Sequence, residues 1–177
     1  MKKLLVVVDY QNDFVNGTLG FPGAEDLDAR IAKKVAQYHK EKDASVIYTQ
    51  DTHKKNYLKT QEGRKLPIAH CIRDTEGWDV FGLTASACGD RDLVIEKPTF
   101  GSMELMEIAE EEQFEQVELV GLVSNICVLT NAVLLKTALP EAEIIVDASC
   151  TACADPAMNE KALDIMEGLQ ITVTNRE

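Results

Sequence analysis

A thiol, a carboxylate and an ammonium, each placed just after a short apolar run, are the side chains of this sequence best placed for chemistry. Cys127 lies in GLVSNICV (121–128), Asp9 in VVVDYQNDF (6–14), and Lys97 in EKPTFGS (96–102). A thiol attacks as its thiolate, which the orphan N–H groups of a helix N-terminus and a nearby cation both favour. Val128, Leu129 and the following NAVLLKTAL have helical character, so Cys127 falls in a first turn. The same N–H groups could hold an oxyanion on a substrate. Asp9 could take the thiol proton, and Lys97 favours a thiolate and a carboxylate alike. Each residue also has an ordinary reading: Cys127 as a small core residue, Asp9 as a turn or cap residue, Lys97 as a solvated cation. The arrival of all three at strand ends favours the chemical reading.

A second group follows in the polar stretch Asp51 to Asp90. Asp51-Thr52-His53 comes first, with Glu62 and His70 later. Carboxylate plus imidazole suits a divalent transition metal such as zinc, iron or manganese. The spacing fits no stock zinc signature, and a hydrogen-bonded loop cluster explains it equally well. The third histidine, His39, is on the polar side of the first helix. Cys150-Thr151-Ala152-Cys153 is at most half a zinc site, and it reads as small packing residues.

The elements that position these groups alternate. Leu4–Val8, Ser45–Thr49, Leu93–Ile95, Gln116–Val120, Glu143–Val146 and Gln170–Val173 are apolar on consecutive residues, as buried parallel strands are. Between them, Leu27, Ile31, Val35 and Tyr38 recur at helical spacing, and Met103–Glu112, Ile126–Ala138 and Pro156–Glu167 fit helices. The expected fold is a single α/β domain over residues 1–177: a doubly wound three-layer sandwich with a mostly parallel six-stranded sheet. Ligands of such sheets bind beyond the carboxyl ends of the strands. Asp9, then Asp51 and His53, then Lys97, then Ser124 to Cys127 follow the first four strands in turn.

The chain has 177 residues, 45% of them hydrophobic, an ordinary globular composition. Its net charge of −12 repels phosphate backbones and anionic lipid, which disfavours nucleic-acid and membrane-surface partners. The opening MKKLLVVVD holds too short an apolar run for a signal peptide or a membrane span, so the expectation is a buried first strand in a cytoplasmic protein. Five cysteines, an odd set, point to free thiols.

VVVDYQNDF, EKPTFGS and GLVSNICV, in this order, make the sequence similar to the isochorismatase-like cysteine hydrolases, and within them to the nicotinamidases. The likeness continues through VDASCTACADPAMNEKALDIMEGLQITVTN. The resemblance implies Cys127 as nucleophile, Asp9 as general base and Lys97 as the group that holds both charged. It also implies a cis peptide between Leu122 and Val123, and an oxyanion hole made by the N–H groups of Val123 and Cys127. Asp51, His53 and His70, with Glu62 as the variable member, would bind a divalent metal, zinc first and iron or manganese as alternatives. That metal would hold the pyridine nitrogen of the substrate.

There are departures. Ser124-Asn125 replaces the family's usual pair inside the nucleophile segment. Leu66, Pro67, Ile68 and Ala69 stand where some nicotinamidases carry a tryptophan. Phe14 and Phe100 could supply the aromatic contact instead, and Trp78 could be core or pocket wall.

The implied function is hydrolysis of nicotinamide to nicotinate and ammonia through a thioester. Another amide, a carbamoyl compound or a vinyl ether is the alternative substrate, and a scaffold that has lost catalysis is the reading from a different class. The expected partners are a small-molecule amide and further copies of the chain, since family members are often dimers or tetramers.

Overall fold

The structure is a computed structural model and describes residues 1–176. Its first strand, β1 (Lys3–Val8), shows why the apolar run is continuous. Leu4, Val6 and Val8 pack on one face of the sheet, Leu5 and Val7 on the other, and all five are fully buried. Next come α1 (Asn12–Val15), α2 (Asp28–Tyr38), β2 (Ala44–Asp51), α3 (Gln61–Lys65), α4 (Gly82–Ala87) and β3 (Leu93–Lys97). The chain continues with α5 (Met103–Glu112), β4 (Gln116–Leu122), α6 (Leu129–Ala138), β5 (Glu143–Ala152), α7 (Pro156–Gly168) and β6 (Thr172–Thr174).

The six strands form one sheet in the order β3-β2-β1-β4-β5-β6, and every pairing is parallel. Leu105 of α5, Leu135 of α6 and Met166 of α7 join the core on one face. Ile31, Val35 and Tyr38 of α2 fill the other, at the spacing that makes one apolar helix stripe. The expected doubly wound three-layer α/β fold is therefore present, with its sheet wholly parallel. The chain winds outward from β1 in both directions, which leaves the crevice between the carboxyl ends of β1 and β4 as the place for a ligand.

Some elements differ from expectation. β2 and β3 run on to Asp51 and Lys97, which pair in register, so these two polar residues are the last of their strands and not the first residues beyond them. β5 continues six residues past Val146, through Asp147 and Ser149, with a register shift against β4 between Leu119 and Gly121. β6 starts at Thr172 because Gln170, at φ +63°, closes the turn after α7. The aperiodic stretch after β2 contains α3, α4 and two 3₁₀ turns at Tyr57–Lys59 and Glu76–Trp78. It is tied down by Gln11, whose Nε2 donates to the carbonyls of Asp51 (2.9 Å) and Trp78 (2.8 Å) and whose Oε1 accepts from Asp51 N (2.8 Å). All five cysteines are free. No helix among the described residues is long and apolar enough to cross a membrane.

Gly121, at φ +108°, brings β4 against β1: a Cβ there would lie 2.1 Å from the carbonyl oxygen of Val8. Both the left-handed backbone and the contact require glycine. Gly121→Ala is expected to cost at least about 2 kcal/mol in a urea titration. An unchanged midpoint would contradict this close approach.

Candidate active site

The strand ends deliver three ionisable groups to one buried point. Asp9 follows β1 directly, with φ +44°. Lys97 ends β3, and Cys127 lies in a π-turn, Ser124–Val128, that joins β4 to α6. Their relative exposures are 0%, 1% and 4%. Lys97 Nζ is 2.5 Å from Asp9 Oδ2 and 3.6 Å from Cys127 Sγ, and donates to the carbonyl of Thr99 at 2.8 Å. Thr49 Oγ1 donates to the other Asp9 oxygen at 2.7 Å.

Burial pushes the Asp9 carboxyl above its ordinary range; Lys97 opposes this and Asp51 adds to it. Burial likewise raises the Cys127 thiol well above its usual value, helped by the charge of Asp9 and opposed by Lys97. For Lys97 burial acts downward, but the charges of Asp9, Cys127 and Asp51 outweigh it, and the ammonium is held. One retained cation thus faces two acids that each resist ionising. It supports a single negative charge between them, so a proton leaving the thiol has the carboxylate as its nearest acceptor.

The turn that carries Cys127 is preceded by a cis peptide between Leu122 and Val123. Neither Val123 N–H nor Cys127 N–H donates outside its own turn. Asn131 anchors the turn: its Nδ2 donates to the carbonyl of Cys127 at 2.8 Å, and its Oδ1 accepts from Ser102 N at 2.9 Å.

Beside the three ionisable groups stands the metal-type cluster. One ligand atom each from Asp51, His53 and His70 lie within 4.8 Å of one another, and all three residues are buried. Asp51 Oδ2 is 3.0 Å from His53 Nε2 and 3.3 Å from His70 Nε2. Glu62 Oε1 comes to 3.6 and 3.8 Å of the same two nitrogens. Ligands on a tetrahedral zinc ion with bonds of about 2.1 Å are about 3.4 Å apart, so the donors stand at the right separation. His70 Nδ1 is 2.8 Å from the carbonyl of Ile68 and, as its donor, leaves Nε2 free to face the cluster, the arrangement that orients a ligating imidazole.

Although burial opposes it, His53, His70 and Lys97 hold the Asp51 carboxyl below the usual carboxylate range. Burial lowers the pKa of His70, but Asp51 and Glu62 contribute to a net rise, and a field that favours a proton there also favours a cation. Nitrogen and oxygen donors without a thiolate suit a borderline divalent ion.

A cavity of about 380 Å³ joins the two groups, lined by Cys127, Asp51, Glu62 and His70, by Phe14, Phe100 and other apolar side chains, and by Asn125 and Asp155. The Phe14 ring lies 5.6 Å from that of His70.

A family model described as "Isochorismatase domain" matches residues 3–177. The uncharacterized isochorismatase family protein PncA of Bacillus subtilis (strain 168) is 30% identical over 145 residues, 75% of this chain and 78% of that protein. The chain belongs to the isochorismatase family. Among solved structures, the nicotinamidase/pyrazinamidase PncA from Bacillus subtilis superposes with a TM-score of 0.85 at 26% identity, covering 98% of this chain and 99% of that one. The pyrazinamidase of Pyrococcus horikoshii in complex with zinc gives 0.85 at 23%, covering 99% and 100%, a likeness of fold.

In this isochorismatase-family hydrolase, Phe14, Asp51, Glu62, His70, Phe100, Val123 and Cys127 line one cavity, with Lys97 and Asp9 in contact behind Cys127 and His53 against Asp51. Trp78 does not line it; the indole donates to Thr52 Oγ1 at 2.8 Å and packs on the α2 side of the core. Cys153 does line it, whereas Cys150 is buried. Sequence reasoning missed Thr49, Gln11 and Asn131, whose roles depend on partners 40, 40 and 29 residues away. It also missed Tyr57, whose ring centroid is 4.6 Å from that of His53 and 4.9 Å from that of His70. The one available signal for Tyr57 was an aromatic residue four positions after a candidate ligand.

Proposed function

We propose that this hydrolase converts nicotinamide to nicotinate and ammonia. The observation that carries the reading is the convergence of a Cys127–Lys97–Asp9 cluster and an Asp51–His53–His70 donor set on one cavity. Asp9 takes the proton from Cys127, and the thiolate attacks the carboxamide carbon. The carbonyl π pair moves to oxygen, where the N–H groups of Val123 and Cys127 receive it. As the pair returns, the C–N bond breaks, the nitrogen takes the proton from Asp9, and ammonia leaves a thioester on Cys127. Asp9 then draws a proton from water, the hydroxide adds to the thioester, and the C–S bond breaks to give the acid while the departing Cys127 sulfur takes the proton back from Asp9. Lys97 keeps the single negative charge tolerable wherever it resides.

A divalent ion held by Asp51, His53 and His70, with Glu62 beside them, would supply a Lewis-acidic point for the ring nitrogen; zinc is the first metal to load. The metal is supported by the donor chemistry, and the choice of nicotinamide by the likeness to the nicotinamidase/pyrazinamidase PncA from Bacillus subtilis.

Zinc-loaded protein is expected to release ammonia from nicotinamide, and chelation or His70→Ala to lower kcat/KM by about 10- to 100-fold, with His70→Ala also reducing bound zinc per chain. A zinc-loaded protein whose Cys127 alkylates readily but which releases no ammonia would overturn nicotinamide as substrate and direct the search to carbamoyl compounds and vinyl ethers.

A further inference from the structure

The cavity is larger than a single ring requires. About 150 Å³ of apolar cavity accommodates benzene, whereas this cavity holds about 380 Å³. Besides Cys127 and the metal-type donors, its polar lining groups are Asn125 in the π-turn and Asp155 at the start of α7. Among its apolar lining residues, Leu66, Phe100, Ile126 and Met158 are at the same time 37%, 43%, 39% and 40% exposed. They come from four separate parts of the chain: the end of α3, the segment after β3, the π-turn and the first turn of α7. Large apolar side chains from distant segments that share one opening form a contiguous patch, and such patches mark ligand contacts. A bare pyridine carboxamide, anchored at the thiol and the donor cluster, would leave this mouth uncovered.

Resting on the function proposed above, we infer that the preferred substrates are aromatic carboxamides carrying an apolar substituent, which leaves the ring through the mouth formed by Leu66, Phe100, Ile126 and Met158. The amide and the ring nitrogen use the polar side, and the substituent buries against the mouth. Specificity then lies in these four residues.

The test uses zinc-loaded protein and nicotinamides that carry one butyl or phenyl group, at each free ring carbon in turn. At least one of them is expected to exceed nicotinamide in kcat/KM by about tenfold, the scale of a few methylene contacts in an apolar pocket. Met158→Ser and Leu66→Ser, both at partly exposed positions that tolerate a polar side chain, are expected to erase most of that preference. The corresponding free acids give a readout independent of turnover: the substituted acid should protect Cys127 from alkylation at lower concentration than nicotinate does, and less well in Met158→Ser.

If nicotinamide is turned over but every substituted amide is slower, or the preference survives both substitutions, the inference is overturned and the proposed function stands. If no amide is turned over, the proposed function fails, and acids that protect no better than nicotinate overturn the inference as well. If Met158→Ser instead dissolves an oligomer and leaves selectivity unchanged, the mouth belongs to a second copy, and the inference is again overturned.

Discussion

Cys127→Ala is expected to release ammonia from nicotinamide at least about 10⁴-fold more slowly than the parent protein, the scale on which nucleophile removal acts. The large effect follows from the absence of any substitute. The buried Cys71 thiol feels the charges of Asp9 and Lys97 but does not line the cavity, and Cys153, though it lines it, donates to the carbonyl of Asp155 at 3.1 Å. Stability should hardly move. The substitution removes one sulfur from a site packed against Val128 and Ala132 and also removes a buried acid, so the urea midpoint is expected to change by less than about 1 kcal/mol equivalent. Ammonia release and urea denaturation on the same preparation check both halves. Turnover within tenfold of the parent would eliminate the thioester route. Loss of turnover together with loss of folding would instead make Cys127 a packing residue, the ordinary reading that its neighbours Ile126 and Val128 allow.

The sequence made the strand centres legible because a parallel strand covered on both faces must be apolar at every position, as Leu4 to Val8 are. It concealed the strand ends for the complementary reason. Gln50, Asp51, Glu96 and Lys97 are polar, yet the ladder between β2 and β3 runs through them, and the same holds for β5 beyond Val146. The site depends on these concealed ends, since it is the last residue of β3 that carries the ammonium to Asp9. Asp9, Lys97, Cys127 and the Asp51–His53 pair were legible because reactive types followed apolar runs. Thr49 and Asn131 were not, because a threonine inside a strand and an asparagine inside a helix become functional only through contacts made by folding. The loop from Asp51 to Asp90 showed its composition but not its form. Gln11, Thr60 and Asp13 hold it by hydrogen bonds to backbone atoms, and these leave no periodic trace.

Lys97→Met separates charge from packing, since the two side chains are of similar length and the position is buried. Without the ammonium, Asp9 keeps the burial and the field of Asp51 that raise its pKa and loses the cation that opposes them. The carboxyl then holds its proton more tightly than in the parent, and less of it is free to take the thiol proton. The kcat/KM for nicotinamide is expected to fall at least about 10³-fold at pH 7, within the range that general acid–base groups supply. Because a raised pKa means the base is liberated only at higher pH, the residual activity should climb with pH, and the acid limb of the profile should move upward relative to the parent.

Stability follows the same proton with a defined sign. Asp9 binds its proton more tightly folded than unfolded, where its pKa is about 3.9. Its contribution is therefore complete below that value and is lost as pH rises through the raised folded value. The variant carries the higher folded value, so its urea midpoint should fall further behind the parent as pH rises, toward the roughly 3–5 kcal/mol that a buried charge left without its partner costs. A difference that stays flat with pH, or activity that survives at pH 7, would mean that Lys97 fills space beside Asp9 and does not set its charge.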